Sequence, residues 1–376
     1  MTSGRGGILI TMHRMSQGGA DRVAALLANG FHAAGIATDF LLLRSGGEGE
    51  EMLSRLFAPG VRIHTAGPPM GSRHLELLRG VRAIRALASE IRPSLVLASS
   101  SNMGLVTGIA CRHLRRKGVA VAMKLTNPVI RPRDKLAIQK LYRTNLYRFI
   151  FHHYDRVLTL TDVEQSGLAT TYPGLSHRFT TVPNAYVSND LLSSDLPKPA
   201  NDEGPRLLTL ARMMPQKRLD VLLRAFARLQ RPEARLTILG DGPLRASLEN
   251  LAQSLGIADR VEMPGFVEDV LPALRKADLF VLSSDYEGLP AAVIEALACN
   301  VPVVTTDCFL GARELLGHSP HCAVTPVGDP DELARAIEKK LSVQTKSGLR
   351  EIAAVYGIDA SIAAHASALQ LLPATA

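Results

Sequence analysis

The sequence predicts an α/β protein of two domains with parallel sheets, and three observations predict it. Short apolar runs ending in Gly, Ser or Asn alternate with segments of helical period along most of the chain, the pattern of parallel strands joined by crossover helices. With 376 residues the chain can bury two cores of ordinary size. A stretch rich in Ser, Pro, Asn and Asp, residues 188–204, separates two such alternating series. The expected boundaries are residues 1–190 for a first domain, 191–204 for a linker, 205–354 for a second domain and 355–376 for a terminal helix.

The first domain opens with a strand at Ile8–Met12, a loop through Gly18 and Gly19, and a helix from about Ala20. A glycine pair ahead of a helix lets backbone approach a ligand, and the helix start offers N–H donors. No third glycine follows at the dinucleotide-fingerprint spacing, which disfavours a nicotinamide cofactor. Apolar runs within 40–46, 61–67, 94–101 and 119–127 read as further strands, and 73–93 and 104–118 as helices. Segment 131–153 stands apart. Arg131, Arg133, Lys135, Lys140, Arg143 and Arg148 interleave there with Leu136, Leu141, Tyr142, Leu146, Tyr147, Phe149 and Ile150. A basic amphipathic helix with Tyr at its boundary suits an anionic bilayer surface; the solvated outer face of an ordinary packed helix is the equal alternative.

In the second domain the strand at 206–211 runs into Arg212 and Lys217, placed at a strand end and its following loop to meet phosphate oxygens. The next strand ends in Gly240-Asp241-Gly242-Pro243, whose glycines permit close backbone approach and also suit a turn. Most informative is 278–306. There Leu279–Leu282 reads as a strand, Glu287-Gly288-Leu289-Pro290 as a loop, the apolar segment to Cys299 as a helix and 301–305 as a strand. Loops beyond the carboxyl ends of strands are where open α/β sheets bind ligands. Glu287 is expected on the loop, free to reach hydroxyls. Glu295 falls about one turn into an apolar helix, where an unpaired carboxylate is costly. Between them the N–H groups of Leu289, Ala291 and Ala292 make a helix start suited to phosphate, with Pro290 near the first helical position. Hydroxyl, phosphate, hydroxyl is the layout of a nucleotide sugar.

Two glutamates separated by seven residues, inside EGLP and EALAC, resemble the signature of the retaining glycosyltransferases of family 4. Gly18-Gly19 within GGADRV, Arg212 and Lys217 with four residues between them, and GDGP at 240–243 match the same family's other motifs. The resemblance implies a GT-B fold, two facing Rossmann-like domains with the last helix crossing back onto the first. It implies Arg212, Lys217 and Glu287 as the catalytic group. The implied donor contacts are Gly18, Gly19, Gly240, Gly242, Phe266, Val267, Gly288, Leu289, Ala291 and Glu295, with Phe266-Val267 holding the base through main chain. Transfer with retention would use the nucleotide-sugar donor, expected UDP-linked, as substrate, without metal or other cofactor. The stretch after the last of these strands, TTDC and GARELL, is similar to transferases that extend lipid-linked glycans, so a polyprenyl-diphosphate-linked glycan is the expected acceptor. Three departures stand out: Arg218 where Gly is usual, Asn300 with Phe309-Leu310 at atypical positions, and Asn127, with Lys124 and Thr126, where many relatives carry a His. Asn127 is accordingly the candidate contact to acceptor or sugar.

Residues 1–200 carry 25 Lys and Arg against 13 Asp and Glu, and the remainder 18 against 22. A basic first half points to an anionic surface or substrate, and an Arg-rich composition without functional meaning is the alternative. Aromatics at 5% and no binding motif argue against nucleic acid. Cys111, Cys299, Cys308 and Cys322 lack metal spacing and are expected as reduced, packed thiols. No apolar run of eighteen residues and no leader pattern occur. The expected location is therefore the cytoplasm, at the inner face of the cytoplasmic membrane. A non-catalytic nucleotide-sugar-binding scaffold and a GT-B nucleotide-sugar epimerase remain as alternative functions.

Overall fold

The computed structural model describes residues 6–15, 19–46, 56–129, 136–193, 204–343 and 348–371. Two compact units divide the chain, residues 1–185 with 358–376, and residues 186–357. Of the stretch read as a linker, the part up to Ser193 is helical, and 194–203 lie outside the described residues.

The first unit runs β1 (Ile8–Met12), α1 (Gly19–Ala33), β2 (Thr38–Leu42), β3 (Arg62–Thr65), α2 (Arg73–Ile91), β4 (Leu95–Ala98), α3 (Gly104–Arg115), β5 (Ala120–Lys124), α4 (Ala137–Phe151), β6 (Arg156–Thr159), α5 (Asp162–Thr171) and β7 (Phe179–Thr181). Its sheet has the order β3-β2-β1-β4-β5-β6-β7, with every pair parallel. β1, β2 and β4 are buried at every position because helices cover both faces, which is why they are mainly apolar and do not alternate.

The second unit runs α6 (Asn189–Ser193), β8 (Arg206–Leu210), α7 (Leu219–Phe226), β9 (Arg235–Leu239), α8 (Arg245–Ser254), β10 (Val261–Gly265), α9 (Leu271–Lys276), β11 (Leu279–Leu282), α10 (Ala291–Ala298), β12 (Val303–Thr306), α11 (Ala312–Leu316), β13 (Ala323–Thr325), α12 (Pro330–Leu341) and α13 (Leu349–Ala354). Its parallel order is β10-β9-β8-β11-β12-β13. Relative to its own first strand this is 3-2-1-4-5-6, the doubly wound order whose chain direction reverses between the first and fourth strands. The reversal puts the loops after β8 and β11 side by side.

The last helix, α14 (Ile358–Ala368), belongs to the first unit and packs on α1. Gly30 makes that contact possible, since a Cβ there would sit 2.3 Å from the Ile362 side chain. Ser361 donates to the Pro183 carbonyl at 2.7 Å. The fully buried His365 donates from Nδ1 to the Ser361 carbonyl at 2.7 Å, which leaves Nε2 to accept from Lys124 Nζ at 2.9 Å. Burial, and then the neighbouring Lys124 charge, push His365 well below its ordinary value. Burial also lowers Lys124 to about 7 and raises Glu164, at the start of α5, to about 7. A neutral imidazole accepting from a readily deprotonated amine is how these groups tolerate a dry interior.

Candidate functional site

The site grows from the reversal between β8 and β11. β8 ends at Leu210, and the chain passes Arg212 and a single 3₁₀ turn, Pro215–Lys217, before Arg218 as N-cap leads into α7. Arg218 has φ 45° and ψ 43°, the left-handed region that costs a non-glycine residue roughly 1–3 kcal/mol. β11 ends at Leu282, and Ser283 and Ser284 turn into the loop carrying Glu287. Pro290, with φ −73° and extended ψ, is the N-cap of α10 and not its first residue. Its backbone oxygen still accepts the first helical bond, from Val293 N at 3.1 Å.

Glu287 and Lys217 meet here. Lys217 Nζ donates to Glu287 Oε1 at 2.6 Å, and Ser284 Oγ donates to the same oxygen at 2.7 Å. Glu287 is 9% exposed, so the carboxylate read as free on its loop is buried and tied. Its N–H is fixed as well, donating to the Cys308 carbonyl at 2.6 Å. Because a buried ion pair's attraction is largely offset by its desolvation, the gain is mainly geometric: an ammonium and a carboxylate held in one place. Ser284, fully buried, is a site residue the motif reading missed; its signal was the Ser-Ser-Asp ending of an apolar strand.

Arg212 behaves differently. It is exposed, and among the described residues its guanidinium makes no ion pair, so a cation stands unneutralised beside the Lys217 turn. Arg218 does not share that freedom. Its Nε and Nη2 donate to Asp220 at 3.0 and 3.1 Å, and its Nη1 to Asp285 at 3.1 Å. Those carboxylates raise its already high value further.

Gly240 and Gly242 are required by protein backbone. With φ 131° and 156°, their Cβ atoms would lie 2.2 Å from the Ala211 oxygen and 2.7 Å from the Met213 oxygen. The Gly-Asp-Gly turn is thus pressed against the loop bearing Arg212, and Arg245 braces it through Asp241 and the Met263 carbonyl at 3.0 and 2.8 Å. Phe266, beyond β10, is 49% exposed and Val267 half-buried. Glu295 lies within α10 and is 8% exposed. Gly288, Leu289 and Ala291 form the approach to α10, where the first-turn N–H groups lack intrahelical acceptors; the Tyr186 hydroxyl holds the Leu289 carbonyl at 2.8 Å.

The structure therefore brings Lys217 and Glu287 into contact and presses the 240–242 turn onto the Arg212 loop. Gly19 and Asn127 belong to the first unit, Gly19 as the exposed first residue of α1 and Asn127 half-buried beyond β5. Gly18 lies outside the described residues, as do Arg131, Arg133 and Lys135 of the basic segment. The rest of that segment is α4. Leu136, which precedes it, and Ile138, Leu141, Tyr142 and Phe149 on it are exposed, Ile138 by 72%. The four cysteines are free, three of them buried, and burial pushes Cys111 and Cys308 up to about 12. Among the described residues no helix is long and apolar enough to cross a membrane.

Comparison with known proteins bears on this arrangement. Residues 195–356 match the family described as glycosyl transferases group 1, and residues 18–185 match the glycosyl transferase 4-like domain. An uncharacterized glycosyltransferase of Methanocaldococcus jannaschii is 32% identical over 179 residues, 45% of this chain and 44% of that protein. The N-acetylgalactosamine-N,N'-diacetylbacillosaminyl-diphospho-undecaprenol 4-alpha-N-acetylgalactosaminyltransferase of Campylobacter jejuni is 32% identical over 135 residues, 36% of this chain and 37% of that enzyme. These alignments span less than half the length of either relative. Among solved structures, Anabaena HepE in complex with UDP and glucose superposes with a TM-score of 0.77 at 19% identity, covering 98% of this chain and all of that one. With both units matched in sequence and the parallel-sheet architecture matched along the chain, the protein belongs to the family 4 glycosyltransferases of GT-B fold.

Proposed function

We propose that the protein is a retaining glycosyltransferase that moves a hexose or N-acetylhexosamine from a UDP-linked donor to a lipid-linked glycan in bacterial polysaccharide or glycoconjugate synthesis. The observation that carries this reading is the preset pair of Lys217 and Glu287 beside the unneutralised Arg212, at the reversal of a doubly wound sheet. Breaking the bond between the anomeric carbon and the diphosphate oxygen leaves charge on the phosphate. Fixed cations and helix-start N–H groups stabilise that charge without reorganising. In this reading Arg212, Lys217 and the start of α10 serve the diphosphate, Glu287 orients the sugar hydroxyls and Glu295 takes the ribose hydroxyls. Gly240 and Gly242 keep backbone close to the same region, and Phe266 with Val267 borders the base. The acceptor oxygen forms its bond to carbon on the face the phosphate leaves, and a phosphate oxygen takes the acceptor's proton. No step requires a metal.

The UDP complex of HepE and the undecaprenol-linked substrate in the Campylobacter enzyme's name support the donor and acceptor classes. The exposed apolar residues of α4, with Lys140, Arg143 and Arg148 on the same helix, support work at an anionic membrane surface. Incubation with a panel of UDP-sugars and polyprenyl-diphosphate-linked acceptors tests the whole reading. A glycosylated lipid product with the donor's anomeric configuration is expected. An inverted product, or binding without turnover across the panel, overturns it, the latter in favour of a scaffold.

A further inference from the structure

Arg218 occupies a backbone conformation that favours glycine, and its charge is spent on protein carboxylates. Its fork meets Asp220 side-on through two bonds, which sets the plane of the guanidinium, and the remaining Nη1 reaches Asp285 across the sheet reversal. Lys217 immediately precedes Arg218, and Glu287 lies two residues beyond Asp285. One guanidinium therefore joins the turn that carries the ammonium to the loop that carries the carboxylate. Three other bonds close the same seam. Asp285 N donates to the Gln216 carbonyl at 2.8 Å, Gln216 Nε2 to the Tyr286 carbonyl at 2.5 Å, and Ser283 Oγ to the Lys217 carbonyl at 2.9 Å.

We infer that Arg218 is a positioning residue for donor binding: it clasps the Lys217 turn to the Glu287 loop through Asp285, and does not itself contact the diphosphate. Two features favour the clasp over a direct phosphate contact. All three outer nitrogens of the fork are committed within 3.1 Å of carboxylate oxygens. Asp220, in the first turn of α7, and Asp285, on the loop after β11, hold the side chain from two sides of the reversal while its backbone is left-handed. Being about one-third exposed, the fork adds little to global stability; its effect is on where Lys217 and Glu287 stand. Removing Arg218 would also leave Asp220 and Asp285 as uncompensated negative charges beside a site for a dianion.

This inference rests on the donor reading of the site, and its test separates the two. UDP affinity is measured by calorimetry for the native protein, Arg218→Gly, Asp285→Asn, the double variant and Lys217→Ala, with amide hydrogen exchange at residues 285–287 recorded without ligand. Glycine fits the left-handed backbone, so Arg218→Gly keeps the fold. Each single variant is expected to weaken UDP about tenfold, the double variant no further than the weaker single, with melting temperatures within about 3 °C of native and faster exchange at the Asp285 amide. Weakening by Arg218→Gly with Asp285→Asn unaffected indicates direct phosphate contact and overturns the clasp. Native affinity and native exchange in both singles overturn it too. Should native protein and Lys217→Ala both fail to bind UDP, the donor reading falls, and the exchange rates alone still judge whether Arg218 holds the loops.

Discussion

The two units share a strand order through their first six strands, yet they use the reversal point differently. In the second unit, side chains and backbone from the loops after β8 and β11 tie each other down, and a buried carboxylate faces an ammonium at 2.6 Å. In the first, the end of β1 carries His13, whose Nε2 lies 3.1 Å from Glu76. The Met70 N–H, aided by Arg44 and His13, holds that carboxyl below its usual range against burial. The surfaces differ too. Exposed large apolar residues gather on α2, α3 and α4 of the first unit, including Leu75, Leu78, Leu105, Ile109, Ile138 and Tyr142. The first half of the chain is also the basic one. One scaffold thus carries a rigid polar site in one copy and an apolar, cationic surface in the other, which is why function has to be read from loops and faces and not from topology.

The sharpest way to break this comparison is at the rigid site. Lys217→Ala should lower the transfer rate constant by about 10²–10³, measured with the donor that the panel identifies; a loss below fivefold would mean that the ammonium does not serve the leaving group. Next in size, Gly240→Ala drives a Cβ to 2.2 Å from the Ala211 oxygen at a positive φ, and should cost about 2–4 kcal/mol of stability in chemical denaturation. A cost below about 1 kcal/mol would show that neither the positive φ nor the close Ala211 backbone constrains this position.

In the first unit, the double variant Ile138→Glu and Leu141→Glu removes apolar surface that is mostly solvent-exposed. It should reduce cosedimentation with anionic phosphatidylglycerol vesicles about tenfold, leaving the melting temperature unchanged. Unaltered vesicle binding would return α4 to the status of a solvated face. The smallest effect expected is a pH dependence. His365 is depressed in the folded state, so the stability it contributes is present above its unfolded value of about 6.5 and is lost as pH falls below it. Between pH 7 and pH 5 the native protein should lose more stability than His365→Gln; equal losses would show that the imidazole charges without cost.

Much of this was legible along the chain because it is local. Strands β1, β4, β8 and β11 announce themselves as short apolar runs, and the paired glutamates mark the loop before α10. What escaped is non-local or conformational. Lys217 and Glu287 are 70 residues apart, and motif spacing could say that both face a ligand but not that they face each other. Gly240 and Gly242 looked like ligand-approach glycines, whereas the atoms that approach them are the backbone of the Arg212 loop. Arg218 stood out as a charge where Gly is usual, and the sequence carried no sign of its positive φ or of its bonds to Asp220 and Asp285. The partnership of His365 with Lys124 spans 241 residues and has no signature at either end.

The claim on which the rest depends is that the reversal between β8 and β11 is a nucleotide-sugar donor site. Thermal denaturation with and without UDP, on the native protein and on Glu295→Ala, addresses it most directly. UDP at about 100 times its dissociation constant should stabilise the native protein by about 2.7 kcal/mol, with a clearly smaller shift in the variant. No shift with UDP in the native protein, or an equal shift in both, would contradict the assignment.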